Sequence, residues 1–231
     1  MDFLAVLRHQ LTAFGELVTP DVELSTPVTG CGDWTLYDLA DHVGNGNLWV
    51  VTAVAENRGD HTGEPAPKTA AELRAWLDDT ADALVTSLSV DPETPAWTFS
   101  KLLPRTVGFW QRRRALETLV HVWDGQHALG AAEAFDPELA ADGISEVFEL
   151  FAPRMIQRGL ATEPQAALRI RSTDTGQTWT YGPGEPVAEL TGAASDLLLA
   201  LWQRIPATDP ALAWNGNWAA GERILAGPLV P

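Results

Sequence analysis

The chain is poor in cysteine and in basic residues. Its 231 residues include one cysteine, Cys31, which excludes an internal disulfide and is typical of a protein kept in a reducing cytoplasm. Lysine and arginine number 15 against 31 aspartate and glutamate, so the formal net charge is −16. Because phosphate repels so acidic a surface, the composition predicts no nucleic-acid partner.

Long hydrophobic runs are also missing. No stretch of 18 or more apolar residues occurs, so we expect neither a membrane span nor a membrane partner. Arg8, His9 and Gln10 interrupt the apolar pattern near the N-terminus, which favours an amphipathic helix over a signal peptide. We therefore expect a cytoplasmic protein whose length allows two small domains, each with a core.

The first 160 residues have helical periodicity. Capping-box spacing marks two helix starts, at Thr35–Asp38 and at Thr69–Glu72. A Pro-bearing segment at 91–107 either covers a site or simply connects two helices. Together the patterns predict a bundle with inward-facing metal ligands, built from a helix that begins at 69 and from helices at residues 2–18, 34–57, 108–129 and 137–158.

After residue 160 the period changes. Leu168 and Ile170 alternate with arginines, and Trp179 and Tyr181 alternate with threonines, as expected of short strands. A third strand at 187–190 precedes helices at 193–204 and 216–225. The predicted fold class is therefore multidomain, with an all-α bundle over residues 1–160 and a small α+β domain over residues 161–231.

One stripe of the fourth helix carries the ionisable residues. Arg114, Glu117, His121 and Asp124 follow the three-and-four spacing of a single helical face. Glu117 and His121 are four residues apart, about 5–6 Å between Cβ atoms, so both can reach one metal ion. Such a pair is more often an ordinary surface pair, and the spacing alone leaves a metal site undecided.

A third ligand must come from another segment, and His42 is the best candidate. It shares one face of its predicted helix with Asp38, Asn45 and Trp49. The remaining histidines are less suitable: one is on a solvated face, one is in a Gly/Pro-rich loop, and one points away from the stripe, namely His9, His61 and His127.

Several blocks resemble the mycothiol-dependent maleylpyruvate isomerase family, from about residue 30 to the end. They are the segments 32–42, 114–124, 139–153, 173–179 and 192–204. The resemblance implies a DinB-like four-helix bundle, with the 139–153 segment as its last helix, followed by a small C-terminal domain. It also implies that the first two segments supply the metal ligands, which would be His42, Glu117 and His121.

Two imidazoles and one carboxylate form the ligand set of an open catalytic zinc site, although another divalent metal such as iron, nickel or cobalt also suits them. Asp124 is a candidate to accept a hydrogen bond from a ligand imidazole, and Asp38 to do the same for His42. For both residues, the sequence is equally consistent with an ordinary exposed carboxylate. Arg114 is a candidate catalytic residue that pairs with Glu117 or Asp124, or else faces the pocket.

The resemblance further implies mycothiol as a thiol cosubstrate. Its metal-bound thiolate would add to an activated C=C bond or another small electrophilic substrate, giving an isomerase if the thiol is expelled and an S-transferase if the adduct is kept. Arg204 matches a family arginine that reaches the active site and would grip the carboxylate or carbonyl of an acidic substrate. From its position alone, Arg204 is a cation at a helix C-terminus.

Two other functions remain open on the sequence. One is a thiol-independent zinc hydrolase, and the other is a non-catalytic module that binds a metal or a ligand. Cys31 has no neighbouring residue in the sequence that would activate it. We interpret it as a small, partly buried turn residue and not as a nucleophile.

Overall fold

The computed structural model describes residues 1–231, which form two compact units, Met1–Glu133 and Ala134–Pro231. None of the helices combines the length and the apolar composition that crossing a membrane requires.

The first unit contains four long helices. They are α1 (Phe3–Glu16), α2 (Leu36–Ala55), α3 (Ala70–Leu88) and α4 (Val107–Ala128). Helix α1 packs against α3 and α4, and α2 packs against the same two helices, as in a four-helix bundle. Their apolar faces bury a core that includes Phe14, Leu39, Val43, Leu73, Leu77 and Val122.

Local sequence signals set the start of the helix that carries His42. Thr35 is the N-cap of α2, and its side-chain oxygen accepts a hydrogen bond from the backbone N–H of Asp38. The Asp38 carboxylate in turn accepts from the backbone N–H of Thr35 at 2.8 Å, which completes the capping box. Because the cap fixes where α2 begins, it also fixes which face His42 occupies.

The connection between α3 and α4 is anchored by aromatic side chains. Trp97 and Phe99 in this segment pack on Phe109 and Trp110 at the start of α4, and on Trp49 of α2. The Trp110 indole N–H also donates to the carbonyl of Trp97 at 2.6 Å. The segment is therefore attached to the bundle by packed rings and not only by its ends.

The second unit is a four-stranded sheet with helices. In chain order it contains α5 (Pro137–Glu146), a π-helical turn (Val147–Phe151), α6 (Ala152–Gln157), β1 (Ala167–Ser172), β2 (Thr178–Tyr181), β3 (Pro186–Gly192), α7 (Ala194–Leu201), β4 (Ala213–Gly216) and α8 (Trp218–Leu225). The strand order is β2-β1-β3-β4, with β1 and β3 parallel and the outer pairings antiparallel. Ile170 lies opposite Leu190 and Trp179, and the buried Ile170 and Leu190 form part of the core.

The domain boundary differs from the one predicted near residue 160. The helix expected to close the bundle, residues 137–158, belongs to the second unit, where α5 packs against α7. Gly143 permits this packing, since a Cβ at this position would lie 2.8 Å from the Leu198 side chain. The helix is also not continuous: the π-helical turn precedes Pro153, which lacks the N–H that a regular helix needs.

Candidate metal centre

Helices α2 and α4 bring the three predicted ligands together. One ligand atom from each of His42, Glu117 and His121 lies within 4.8 Å of the others. The rings of His42 and His121 meet edge to face, with their centroids 5.1 Å apart. One imidazole from α2 and an imidazole and a carboxylate from α4 therefore converge on one point.

Glu117 is held as a carboxylate by the groups around it. Its Oε1 lies 3.3 Å from Nε2 of His42, and its Oε2 accepts a hydrogen bond from Nη1 of Arg114 at 2.7 Å. Nε of Arg113 lies 3.6 Å from the same Oε2. Burial alone would raise the pKa of Glu117, but Arg114, His42 and Arg113 hold that pKa well below its ordinary value.

Arg114 pairs with Glu117, one of the alternatives left open by the sequence. Its guanidinium is almost fully buried and donates through Nη2 to Oδ1 of Asn47 at 2.7 Å and to the carbonyl of Val43 at 3.2 Å. Asn47 in turn donates to Oγ1 of Thr80 at 3.3 Å. This chain of contacts ties Glu117 on α4 to α2 and α3, and it is the main support of the carboxylate.

Asn47 is a site residue that the sequence reasoning missed. It is 1% exposed and lies five positions after His42 on α2, away from the face chosen for the ligands. The one signal that could have singled it out is a polar amide in an otherwise apolar stretch of the helix. Its partner, however, is a buried arginine on another helix, which local spacing does not reveal.

His121 is oriented by Asp124. Its Nδ1 lies 3.0 Å from Oδ2 of Asp124, a carboxylate with no solvent exposure. Because a carboxylate only accepts, the proton lies on Nδ1 and the lone pair on Nε2. Burial lowers the pKa of His121, so the imidazole is neutral, as a metal ligand must be.

The thiol of Cys31 donates to the same carboxylate oxygen of Asp124, at 3.4 Å. Cys31, His121 and Asp124 also lie close enough together to hold an ion. That arrangement would use the other side of His121 and would replace the hydrogen bond that Asp124 now makes. Cys31 is partly buried, as its position in the sequence suggested.

The sequence offered Asp38 as a hydrogen-bond acceptor for His42, but the structure does not bring the two side chains within hydrogen-bonding distance. Oδ2 of Asp38 accepts from the Thr35 backbone N–H at 2.8 Å and from the Thr35 hydroxyl at 2.7 Å, and these bonds lower the pKa of Asp38. The structure shows no hydrogen bond between Asp38 and His42, because the capping box directs the carboxylate toward the helix start. His42 instead packs against Trp34, with the ring centroids 4.9 Å apart.

Arg204 lies in the second unit, just beyond α7. The helix ends at Leu201, three residues earlier than predicted, and Gln203 adopts a left-handed φ of 58°. Nη1 of Arg204 donates to the carbonyl of Trp202 at 3.0 Å. This contact is the one expected of a cation beside a helix C-terminus.

A cavity of 540 Å³ adjoins the ligand cluster. It is lined by Trp34, Asp38, Asp41, His42, Asn45, Gly46, Trp49, His61, Gly63, Arg114 and Glu117. The sequence placed His61 in a loop without a role, because only the folded chain brings residues 61–63 over α2. Two nitrogens and one carboxylate beside an open cavity fit an ion of the zinc type with a free coordination position.

The fold and this centre define a helical unit with a candidate metal site, followed in the chain by a small α+β unit. Residues 4–126 match the mycothiol maleylpyruvate isomerase N-terminal domain, and residues 138–223 match the MDMPI C-terminal domain. The chain therefore belongs to the mycothiol-dependent maleylpyruvate isomerase family. The two matches also leave the helix at 137–157 with the C-terminal domain, in agreement with the structure.

Solved structures show the same fold. A crystal structure of a mycothiol-dependent maleylpyruvate isomerase superposes with a TM-score of 0.69 at 12% identity, covering 92% of this chain and 91% of that one. A histidine-to-alanine mutant of such an isomerase gives a TM-score of 0.68 at 13% identity, with the same coverage. None of the curated proteins is similar enough in sequence to match.

Proposed function

We propose that this chain is a mycothiol-dependent enzyme, an isomerase or a thiol S-transferase, with a divalent ion, zinc, held by His42, Glu117 and His121. The observation that carries the proposal is the convergence of these three ligand atoms within 4.8 Å beside a 540 Å³ cavity. Family membership suggests which thiol is used, and the cavity has room to bind it. The reducing cytoplasm is the compartment in which such a thiol would be available.

Neighbouring side chains orient the three ligand residues and set their protonation. Asp124 holds His121 with its Nε2 lone pair available, while Arg114 keeps Glu117 ionised and in place. Trp34 packs on the ring of His42 and restricts its rotation. When bound, the ion would favour the deprotonated form of a coordinated thiol at neutral pH.

The reaction proposed for the isomerase is reversible thiol addition. The sulfur forms a bond to one carbon of an activated C=C bond, and the π electrons move toward the adjacent carbonyl. Rotation about the new single bond follows, and the returning electron pair expels the thiolate to leave the trans isomer. If the adduct is protonated instead, the product is the thioether of an S-transferase.

Negative charge develops on the substrate carbonyl in either case, so a nearby cation would stabilise the transition state. We propose Arg204 for this role, since a guanidinium binds a carboxylate or an enolate oxygen through two parallel hydrogen bonds. The substrate would then be a small electrophile that carries a carbonyl or carboxylate group.

The test is turnover with and without thiol. Protein loaded with one zinc ion per chain is incubated with α,β-unsaturated acids, and products are followed by mass spectrometry. We expect isomers or thioethers only when mycothiol is added. Turnover in thiol-free buffer would contradict the proposal and favour a zinc hydrolase, and a loaded protein inert toward every thiol and electrophile would favour a binding module.

A further inference from the structure

The second unit contains a cavity whose lining shares no residue with the metal centre. Its volume is 340 Å³, and it is bounded by residues 161–166, by Tyr181 at the end of β2, and by α8 with the residues that follow it. Gly182 has a left-handed φ of 104°, and a Cβ at this position would overlap the carbonyl oxygen of Ala166. The glycine thus brings the end of β2 against the 161–166 segment. Small-molecule sites span roughly 300–1,000 Å³, so this cavity suits a small ligand.

Helix α8 contributes a mixed stripe to the cavity wall. The lining residues of this helix and of the turn after it follow three-and-four spacing and are Ala220, Arg223, Ile224 and Gly227. The helix is seated on the sheet at Gly221, where a Cβ would overlap the ring of Trp214 in β4. An arginine therefore lies within a stripe that is otherwise apolar.

Two opposite charges line this cavity without pairing. Arg223 comes from α8 and Glu163 from the 161–166 segment, and both side chains are exposed. Neither forms an ion pair or a side-chain hydrogen bond with the other or with any further residue. Each charge is therefore available to a ligand, and one ligand that carries both signs can satisfy both.

A neutral donor and a neutral acceptor accompany these charges. The ring of Tyr181 stacks on Phe148, with the centroids 5.3 Å apart, and its hydroxyl makes no hydrogen bond within the chain. Burial raises the pKa of Tyr181, so the hydroxyl stays protonated and can donate. Nε2 of Gln165 donates to the carbonyl of Glu163 at 3.1 Å, which leaves Oε1 of the same amide as an acceptor.

The rest of the wall is apolar. Pro164, Ile224 and Leu229 line the cavity, and Leu229 is 3% exposed, so it belongs to the packed interior of the unit. Such a surface favours an aliphatic group on the ligand. The ligand that matches the whole wall has a carboxylate, an ammonium group and a short apolar side chain.

The net charge of the chain agrees with a ligand of zero net charge. At −16, the protein repels free anions at long range, so an isolated carboxylate would be drawn only by Arg223 and opposed by Glu163. A free amine would be opposed by Arg223 in the same way. A zwitterion meets neither penalty.

We propose that this cavity binds a small apolar α-amino acid as a zwitterion. Arg223 and Tyr181 hold its carboxylate, Glu163 and Gln165 hold its ammonium group, and the apolar wall packs on its side chain. The inference goes beyond the proposed function and is independent of it, because it uses neither the metal nor a thiol.

The experiment titrates the zinc-loaded full chain with three probes of one carbon skeleton. They are L-leucine, 4-methylpentanoate, which lacks the ammonium group, and 3-methylbutylamine, which lacks the carboxylate. Binding is followed by chemical-shift changes of the backbone amides, which should include those of residues 161–166. We expect L-leucine to bind at least about tenfold more tightly than either analogue, a difference of about 1.4 kcal/mol.

Two charge-removing variants locate the binding. Arg223→Gln and Glu163→Gln should each weaken L-leucine binding at least about tenfold, since each removes a charge-assisted hydrogen bond. Arg158→Gln and Glu222→Gln are the matched controls, because they make the same charge changes at exposed positions of the same unit that do not line the cavity. Both controls should bind L-leucine as the wild type does.

Three results would overturn the inference. One is the absence of chemical-shift changes with L-leucine, and another is equally tight binding of either analogue. The third is L-leucine binding that Arg223→Gln and Glu163→Gln leave unchanged, which would place the amino acid elsewhere, for example on the zinc ion, and would leave Arg223 as a cation in the last turn of α8. Thiol-dependent turnover is measured separately, so none of these results decides the proposed function.

Discussion

Asp124 and His121 form a buried carboxylate–imidazole pair one helical turn apart, with Oδ2 and Nδ1 separated by 3.0 Å. The pair leaves Nε2 of His121 as the nitrogen available to an ion, beside His42 and Glu117. The orientation of the ligand is therefore set by a residue that does not itself belong to the proposed ligand set.

Replacing Asp124 with alanine should weaken metal binding about 10- to 100-fold, as is usual when the carboxylate behind a ligand histidine is removed. The imidazole would lose both its fixed tautomer and its orientation. Competition with a chromophoric chelator measures the affinity. Cys31→Ala is the matched control, because it removes the hydrogen bond from the Cys31 thiol to the same oxygen and should change the affinity little. Equal losses in both variants would contradict the special role of the pair.

His42→Ala, Glu117→Ala and His121→Ala should each reduce the metal content sharply from one ion per chain. With a single ligand removed, two donors are left, too few to hold an ion tightly. Elemental analysis after dialysis gives the stoichiometry, and His127→Ala on the same helix as His121 should retain it. Full stoichiometry and affinity in His42→Ala would show that the three-ligand site is wrong.

Activity should require added thiol and should survive Cys31→Ala. The thiol of Cys31 donates to Asp124 and is partly buried, so it does not replace a cosubstrate. Initial rates with mycothiol, for the wild type and the variant, provide the measurement. Loss of all activity in Cys31→Ala, with zinc content intact, would make this cysteine a nucleophile.

Arg204→Ala should lower turnover of an acidic substrate by about 2–4 kcal/mol of transition-state stabilisation while zinc content and folding are unchanged. Arg204→Lys should restore little, because an ammonium group does not reproduce the two parallel hydrogen bonds of a guanidinium. Steady-state kinetics of both variants decide the point. Unaltered rates would mean that Arg204 acts only as a cation at the end of α7.

Thr35→Ala should destabilise the protein by about 1 kcal/mol near neutral pH, since it removes the N-cap of α2. The folded pKa of Asp38 is lowered by its bonds to Thr35, so the stability from this carboxylate is present above its unfolded pKa of about 3.9 and is lost as pH falls through the folded pKa. Denaturant unfolding of the wild type and of Thr35→Ala should show that the difference between their free energies of unfolding becomes smaller below about pH 4. A difference that stays constant down to pH 2 would contradict the carboxylate's part in the cap.

The parts of the fold that sequence could predict are those specified locally. The N-caps of α2 and α3 fall at the predicted Thr35 and Thr69, because capping depends on residues three positions apart. The end of the bundle was misplaced for the opposite reason. Helix α5 has an amphipathic pattern that suits any apolar partner, and only tertiary packing selects α7.

The site residues likewise divide into those specified by local sequence and those placed by tertiary contacts. Glu117 and His121 share a face through helical spacing. His42 was the best of the remaining histidines by its own helix face, and the family resemblance implied the same three ligands. Asn47 and His61 were missed because each acquires its place from a distant contact, the first with Arg114 and the second through a segment folded over α2. The position of Asp38 suited two roles, the capping box with Thr35 and a hydrogen bond to His42. The structure shows the capping box.

The contacts of Glu117 have a consequence for how the metal can be exchanged. The guanidinium of Arg114 pairs with this carboxylate inside the chain, His42 lies 3.3 Å from it, and Asn47 and Thr80 continue the support into two further helices. A chelator that withdraws the ion therefore leaves the Glu117 carboxylate with a charged partner inside the bundle. The apoprotein is accordingly expected to remain folded, so that one preparation can be stripped and reloaded with zinc or cobalt and the same molecules compared under both metals.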